Sequence, residues 1–144
     1  ESYLKTTQWL KDGFKKAGVD LFFGNQPVNI SNSNCFSTST LADLVDKDKN
    51  KYIGSAQYWK KGHLLQHGEI LMEPSKQLWK KVFNTDPPKI KNEIKEKYKV
   101  INFLKDSLSK TWPNLELTNY KLDNKDHKRI KYLAIENFNI ENQF

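Results

Sequence analysis

Between Lys51 and Met72 the chain reads as two extended segments, Lys51 to Gln57 and His63 to Met72, joined by a loop holding Lys60, Lys61 and Gly62. Strands connected this closely must pair antiparallel, because a parallel pair needs a crossover of a dozen residues or more. Leu41 to Val45 reads as a preceding strand and Asp46 to Asn50 as a charged turn, which makes an antiparallel meander. Strand alternation puts His63, Leu65 and His67 on one face, with Leu64, Gln66 and Gly68 on the other. It also groups Lys51, Ile53 and Ser55 on a single face.

Helices are expected around this meander. Tyr3, Leu10, Phe14 and Ala17 fall on one face of a helix over residues 1–17, and Gly18 is a suitable stop. Val19 to Phe23 reads as a short strand and Gly24 to Ser33 as a turn-rich loop. Ser75 is a fitting N-cap for a short helix with Leu78 and Val82 inward, broken by Asp86-Pro87-Pro88. A longer helix is predicted from Lys89 to Lys110 with Ile90, Ile94, Ile101, Leu104 and Leu108 as its apolar stripe. Leu115 to Leu117 reads as a short strand. A last helix is predicted from Asn124 to Phe138, with Ile130, Leu133 and Ala134 inward. The fold class expected is α+β, an antiparallel or mixed sheet with flanking helices.

Bulk properties exclude some functions. With 144 residues, 37% of them hydrophobic, the chain can form one domain but contains no apolar run able to span a bilayer. The net charge of +7 invites a nucleic-acid reading. Yet Arg129 is the only arginine and the lysines are dispersed, so a solvated lysine surface that attracts acidic proteins is the expectation. The single cysteine, Cys35, forbids an intrachain disulfide and fits a reducing, cytoplasmic setting. His63 and His67 share a strand face, but no cysteine or carboxylate follows at ligand spacing, so no metal site is expected.

The chemistry lies between Cys35 and Met72. Gly54-Ser55-Ala56 within a strand gives up side-chain packing, as happens where a ligand or another backbone comes close. Lys51 stands over that narrow floor, where an ammonium can hold a carbonyl. The run Lys51-Tyr52-Ile53-Gly54-Ser55-Ala56-Gln57, followed after a short loop by Leu65-Gln66-His67-Gly68, resembles the signature of the lipoate-protein ligase and octanoyltransferase family. The match spans roughly Cys35 to Phe83. It implies the fold of the biotin/lipoate protein ligases, a class II synthetase-like architecture, with this chain forming the C-terminal part of one catalytic domain: a motif region at 35–83 and a helical region at 84–144. The family's arginine- and glycine-rich segment with paired glycines has no counterpart, since none of the six glycines are adjacent. An N-terminal part supplied elsewhere is therefore expected.

The resemblance implies that Lys51 contacts the acyl carbonyl. It also implies that Gly54, Ser55, Ala56, Gln57, Gln66, His67 and Gly68 form the acyl tunnel and its supporting shell. One branch of the family carries a Cys-Phe pair upstream of the motif lysine, and Cys35-Phe36 matches it, sixteen residues before Lys51. Cys35 is then the nucleophile that takes up the acyl group, although a lone cysteine is often just a small buried hydrophobe. The branch's Pro-Ser after Cys-Phe is absent from Ser37 to Thr40. The ATP-using ligases place Asn-Asp before the motif lysine, and Ala42-Asp43 departs from that.

The implied function is transfer of an octanoyl or lipoyl group from an acyl carrier protein thioester, without a cofactor. The acceptor would be a lysine of a lipoyl domain in a 2-oxoacid dehydrogenase complex, or of the glycine-cleavage H protein. The alternatives are an ATP- and Mg-dependent lipoate-protein ligase, a non-catalytic module that binds carrier proteins, and a basic nucleic-acid-binding domain. His67 is expected to hydrogen-bond within the site, and Tyr58-Trp59 to form a solvent-side hairpin tip.

Overall fold

The computed structural model describes residues 2–26, 34–89, 94 and 96–138. The chain divides into two compact units, Glu1–Pro113 and Asn114–Phe144. No helix among the described residues is long and apolar enough to cross a membrane.

The first unit runs α1 (Ser2–Lys16), β1 (Phe22–Phe23), β2 (Leu44–Val45), β3 (Lys51–Lys60), β4 (His63–Ile70), α2 (Lys76–Phe83) and α3 (Lys97–Thr111). The four strands form one antiparallel sheet in sequence order. It is the expected meander on an α+β plan. β3 and β4 pair from Ile53↔Ile70 to Lys60↔His63, so the connecting turn is only Lys61-Gly62. Both turn residues have positive φ, 48° and 78°, the backbone hand that matches strand twist in a two-residue hairpin.

α1 ends in a Schellman motif: Gly18 has φ 85°, its N–H donates to Lys15 and the Val19 N–H reaches the Phe14 carbonyl. Leu10 and Phe14 project from α1 into a core shared with Val19, Leu21, Leu44, Tyr52, Ile53, Ile94 and Val100. Phe14 meets Tyr52 edge to face, centroids 5.6 Å apart. The Tyr52 hydroxyl is buried without a hydrogen-bond partner among the described residues, and burial pushes its pKa up. α1 and α3 cross at Gly13, where a Cβ would come 2.7 Å from the Leu104 side chain.

Several expectations require correction. The strand expected over Leu41–Val45 is only Leu44–Val45, because Asp43 turns its N–H back to the Thr40 carbonyl. The long helix starts at Lys97, not Lys89, and Ile90 lies outside the described residues. Ile94 is buried but precedes the helix, while Ile101 faces solvent. Val100 and Ser107 form the buried side of α3 instead, because its phase is set by the close approach at Gly13. On α2 the inward residue is Trp79, and Leu78 and Val82 are 63% and 71% exposed. A broad aromatic ring gains more from burial than either aliphatic side chain, and Trp79 finds an aromatic partner in Phe36. Leu115 to Leu117 is irregular rather than a strand.

The second unit contains α4 (Asn124–Phe138), with the expected bounds. Asp123 and Asp126 cap it reciprocally, each carboxylate accepting from the other's N–H. The Tyr120 hydroxyl also donates to Asp126, which lowers that carboxyl's pKa and raises that of the phenol. Ala134 is buried, whereas Ile130 and Leu133 are each 37% exposed.

The hairpin depends on Gly68. It pairs with Ser55, and a Cβ on it would collide with the Gly54 carbonyl oxygen. Gly68→Ala is therefore expected to cost about 1–3 kcal/mol as strand backbones are forced apart. A chemical denaturation midpoint equal to wild type would contradict this.

Candidate active site

The site begins with an irregularity in β3. Leu44 pairs with Ile53, but Val45 pairs with Lys51, so Tyr52 is an extra residue opposite β2. This bulge overturns the simple alternation. Residues directly opposite each other in a ladder share a face, so Lys51 goes with Val45 and Ile53 with Leu44, on opposite faces. Ile53 enters the core, and Lys51 instead lies over Gly54. A Cβ at Gly54 would stand 3.1 Å from Lys51 Cε. Glycine at this spacing thus lets the lysine stem fold across its own strand.

The ammonium is fixed at its tip. Lys51 Nζ lies 3.1 Å from Asp43 Oδ1 and donates to the Cys35 carbonyl oxygen at 2.8 Å. It also sits 5.5 Å from the centre of the Phe36 ring, within cation–π range. The two charged side chains are only 10% and 6% exposed. Asp43 is further tied by the Thr40 N–H and hydroxyl, both to Oδ2, and by the Ser55 N–H to Oδ1. This carboxylate joins the Cys35 loop, β2 and β3, and it is a site residue absent from the sequence-based candidates. Its signal in the sequence is the acidic residue of the Ala42-Asp43 pair, eight residues before Lys51.

Phe36 packs on Trp79 of α2, centroids 5.5 Å apart, and Trp79 packs on Phe83 at 4.9 Å. This aromatic stack props the Cys35-Phe36 loop beneath the ammonium. Cys35 is exposed, which removes the reading of it as a small buried hydrophobe.

Cys35, Phe36, Asp43, Lys51, Gly54, Ser55, Ala56, His67, Gly68 and Glu69 line one cleft of about 340 Å³. Gln57 and Gln66 are not among them. They pair across the hairpin on the α1 side, where the Gln57 amide donates to Gln66 Oε1 at 3.2 Å and to the Thr6 hydroxyl. A smaller cavity of about 130 Å³ lies on that side, against Trp9, Leu10 and Ile53. His67 is exposed, and its imidazole makes no hydrogen bond among the described residues. Tyr58 and Trp59 are exposed near the hairpin tip, as expected.

No family model matches the chain. Curated relatives do. Octanoyltransferase LipM of Halalkalibacterium halodurans is 24% identical over an alignment covering 96% of this chain and 59% of the relative. The Staphylococcus aureus protein of the same name is 36% identical over 81 residues, 51% of this chain and 29% of the relative. That of Anoxybacillus flavithermus is 27% identical over 107 residues, 69% and 38% of the two chains. The chain thus spans between 29% and 59% of the length of these relatives.

Among solved structures, a T. acidophilum protein named as a lipoate protein ligase superposes with a TM-score of 0.72 at 16% identity, covering 97% of this chain and 55% of that one. Lipoate-protein ligase A bound with ATP gives 0.71 at 14% identity, covering 97% and 56%. These structural likenesses establish the fold, and the α+β meander with its flanking helices is that of lipoate-protein ligases. The chain is thus similar in sequence to octanoyltransferases named LipM and shares its fold with lipoate-protein ligases.

Proposed function

We propose that the protein containing this chain moves an octanoyl group from an acyl carrier protein thioester to a lysine of a lipoyl domain or glycine-cleavage H protein, through an acyl-enzyme on Cys35. The observation that carries this is the cleft shared by an exposed Cys35 and an ammonium held against the same residue's carbonyl. Lysine has three N–H donors, and two of them are engaged, by Asp43 and Cys35. The third is free for an incoming acyl carbonyl.

In the first half-reaction the Cys35 sulfur attacks the donor's thioester carbon and a new C–S bond forms. The bond to the carrier's sulfur breaks, and the carrier leaves as a thiol with the proton that Cys35 gave up. In the second, the acceptor amine attacks the Cys35 thioester, an amide forms and the cysteine thiol is regenerated. In both, negative charge gathers on the acyl oxygen near Lys51. A cytoplasmic location fits these carrier partners. Lipoate-protein ligase A bound with ATP supports a ligase as the second reading, with ATP and Mg as its cofactors.

The deciding experiment incubates full-length protein and a lipoyl domain with octanoyl acyl carrier protein, without ATP. Octanoylated lipoyl domain is the expected product. Modification only from free lipoate plus ATP and Mg would install the ligase reading.

A further inference from the structure

The two working groups of the cleft are held by different means. The Cys35 loop has its own support, since Phe36 packs on Trp79 of α2. The Lys51 ammonium stands at the end of a flexible four-carbon stem, which by itself samples many rotamers. Its place is set by what it meets at the tip, and the charged contact there is Asp43. Among the described residues no other carboxylate pairs with Lys51. Asp43 is in turn fixed by groups that are themselves fixed, the Thr40 N–H and hydroxyl and the main-chain N–H of Ser55 in β3. The direction of the ammonium's remaining N–H is therefore inherited from this carboxylate.

We infer that Asp43 is a positioning residue for acyl transfer, one that aims the Lys51 ammonium at the acyl oxygen and acts on the reaction only through Lys51. This rests on the acyl-transfer reading above and adds the residue that orders its cation. Asp43 also lines the cleft, which invites the different role of general base for the acceptor amine. Its hydrogen bonding speaks against that. An ionised carboxylate offers about four lone-pair sites. Oδ1 meets Lys51 Nζ at 3.1 Å and the Ser55 N–H at 3.3 Å. Oδ2 accepts from the Thr40 N–H at 2.8 Å and from its hydroxyl at 3.1 Å. These contacts leave no site to take a proton from an incoming amine. They suit a group that holds its neighbour still and does not itself react.

The test is a double-mutant cycle on the full-length protein. Octanoyl transfer from acyl carrier protein to a lipoyl domain is measured for wild type, Asp43→Asn, Lys51→Ala and the double variant, each well below its melting temperature. Asp43→Asn is expected to lower kcat by on the order of 10²-fold, the cost of a misplaced contact, with KM for the carrier unchanged. Added to Lys51→Ala it should cost no further activity, because the group it aims is already gone. If Asp43→Asn does not fold, Thr40→Val takes its place in the cycle. It removes one bond from Oδ2, and it should lower kcat in the wild-type background and leave Lys51→Ala unchanged. Wild-type kcat in folded Asp43→Asn overturns the proposal. So do losses that multiply in the double variant, which would mark a role independent of Lys51. Full activity regained by Asp43→Asn on cooling also overturns it, since the carboxylate would then serve stability alone. A wild type that acts only from free lipoate with ATP and Mg sinks the acyl-enzyme reading instead, and the same cycle run on that reaction decides Asp43.

Discussion

Cys35→Ala is expected to abolish transfer, with kcat/KM falling by on the order of 10⁴-fold or more, as when other covalent enzymes lose their nucleophile. The exposed thiol shares its cleft with a fixed cation, and these 144 residues hold no other cysteine. Intact-mass spectrometry after mixing full-length protein with octanoyl acyl carrier protein gives a direct readout. Wild type should gain one octanoyl group that hydroxylamine removes, and Cys35→Ala should gain none. Fold damage is not expected to confuse this, because an exposed side chain is removed and the anchoring contact to Lys51 comes from the main-chain carbonyl. An adduct persisting in Cys35→Ala, or absent from wild type, would end the covalent route.

Lys51→Ala is the second large effect. As a sulfur or amine attacks, the acyl oxygen becomes more negative, and a cation already in place favours that state over the ground state. Losing such a contact typically lowers the rate by about 10²–10³-fold. The ammonium is also structural. Its removal leaves Asp43, 6% exposed, without a cation, although the bonds from Thr40 and Ser55 remain. A stability loss of about 1–3 kcal/mol is therefore expected alongside the kinetic one. Activity should be measured well below the lowered melting temperature, with circular dichroism confirming a folded variant. Lys51→Arg should also be poor, because a planar fork does not fit between Asp43, the Cys35 carbonyl and the Phe36 ring as a compact ammonium does. Near wild-type kcat/KM in folded Lys51→Ala would remove this lysine from the active site.

The sequence by itself determined the meander and its outer helices. Alternating segments around a tight Lys61-Gly62 turn permit only antiparallel pairing, and period-3.6 patterns with strong end signals mark α1 and α4. It also offered both ends of the candidate pair, Cys35 and Lys51, through the resemblance of their surrounding motifs to a known family. The tertiary structure decided what depends on contacts between distant segments. The bulge at Tyr52 is a property of the β2–β3 register, which alternation within β3 cannot reveal, and it moves Lys51 to the face of Gly54. Asp43 gains its role only when Thr40, Lys51 and Ser55 converge on one carboxylate. On α2, Trp79 and the pair Leu78 and Val82 are both apolar stripes in sequence. Only the presence of Phe36 on one side of the helix decides which is buried and which is left facing water.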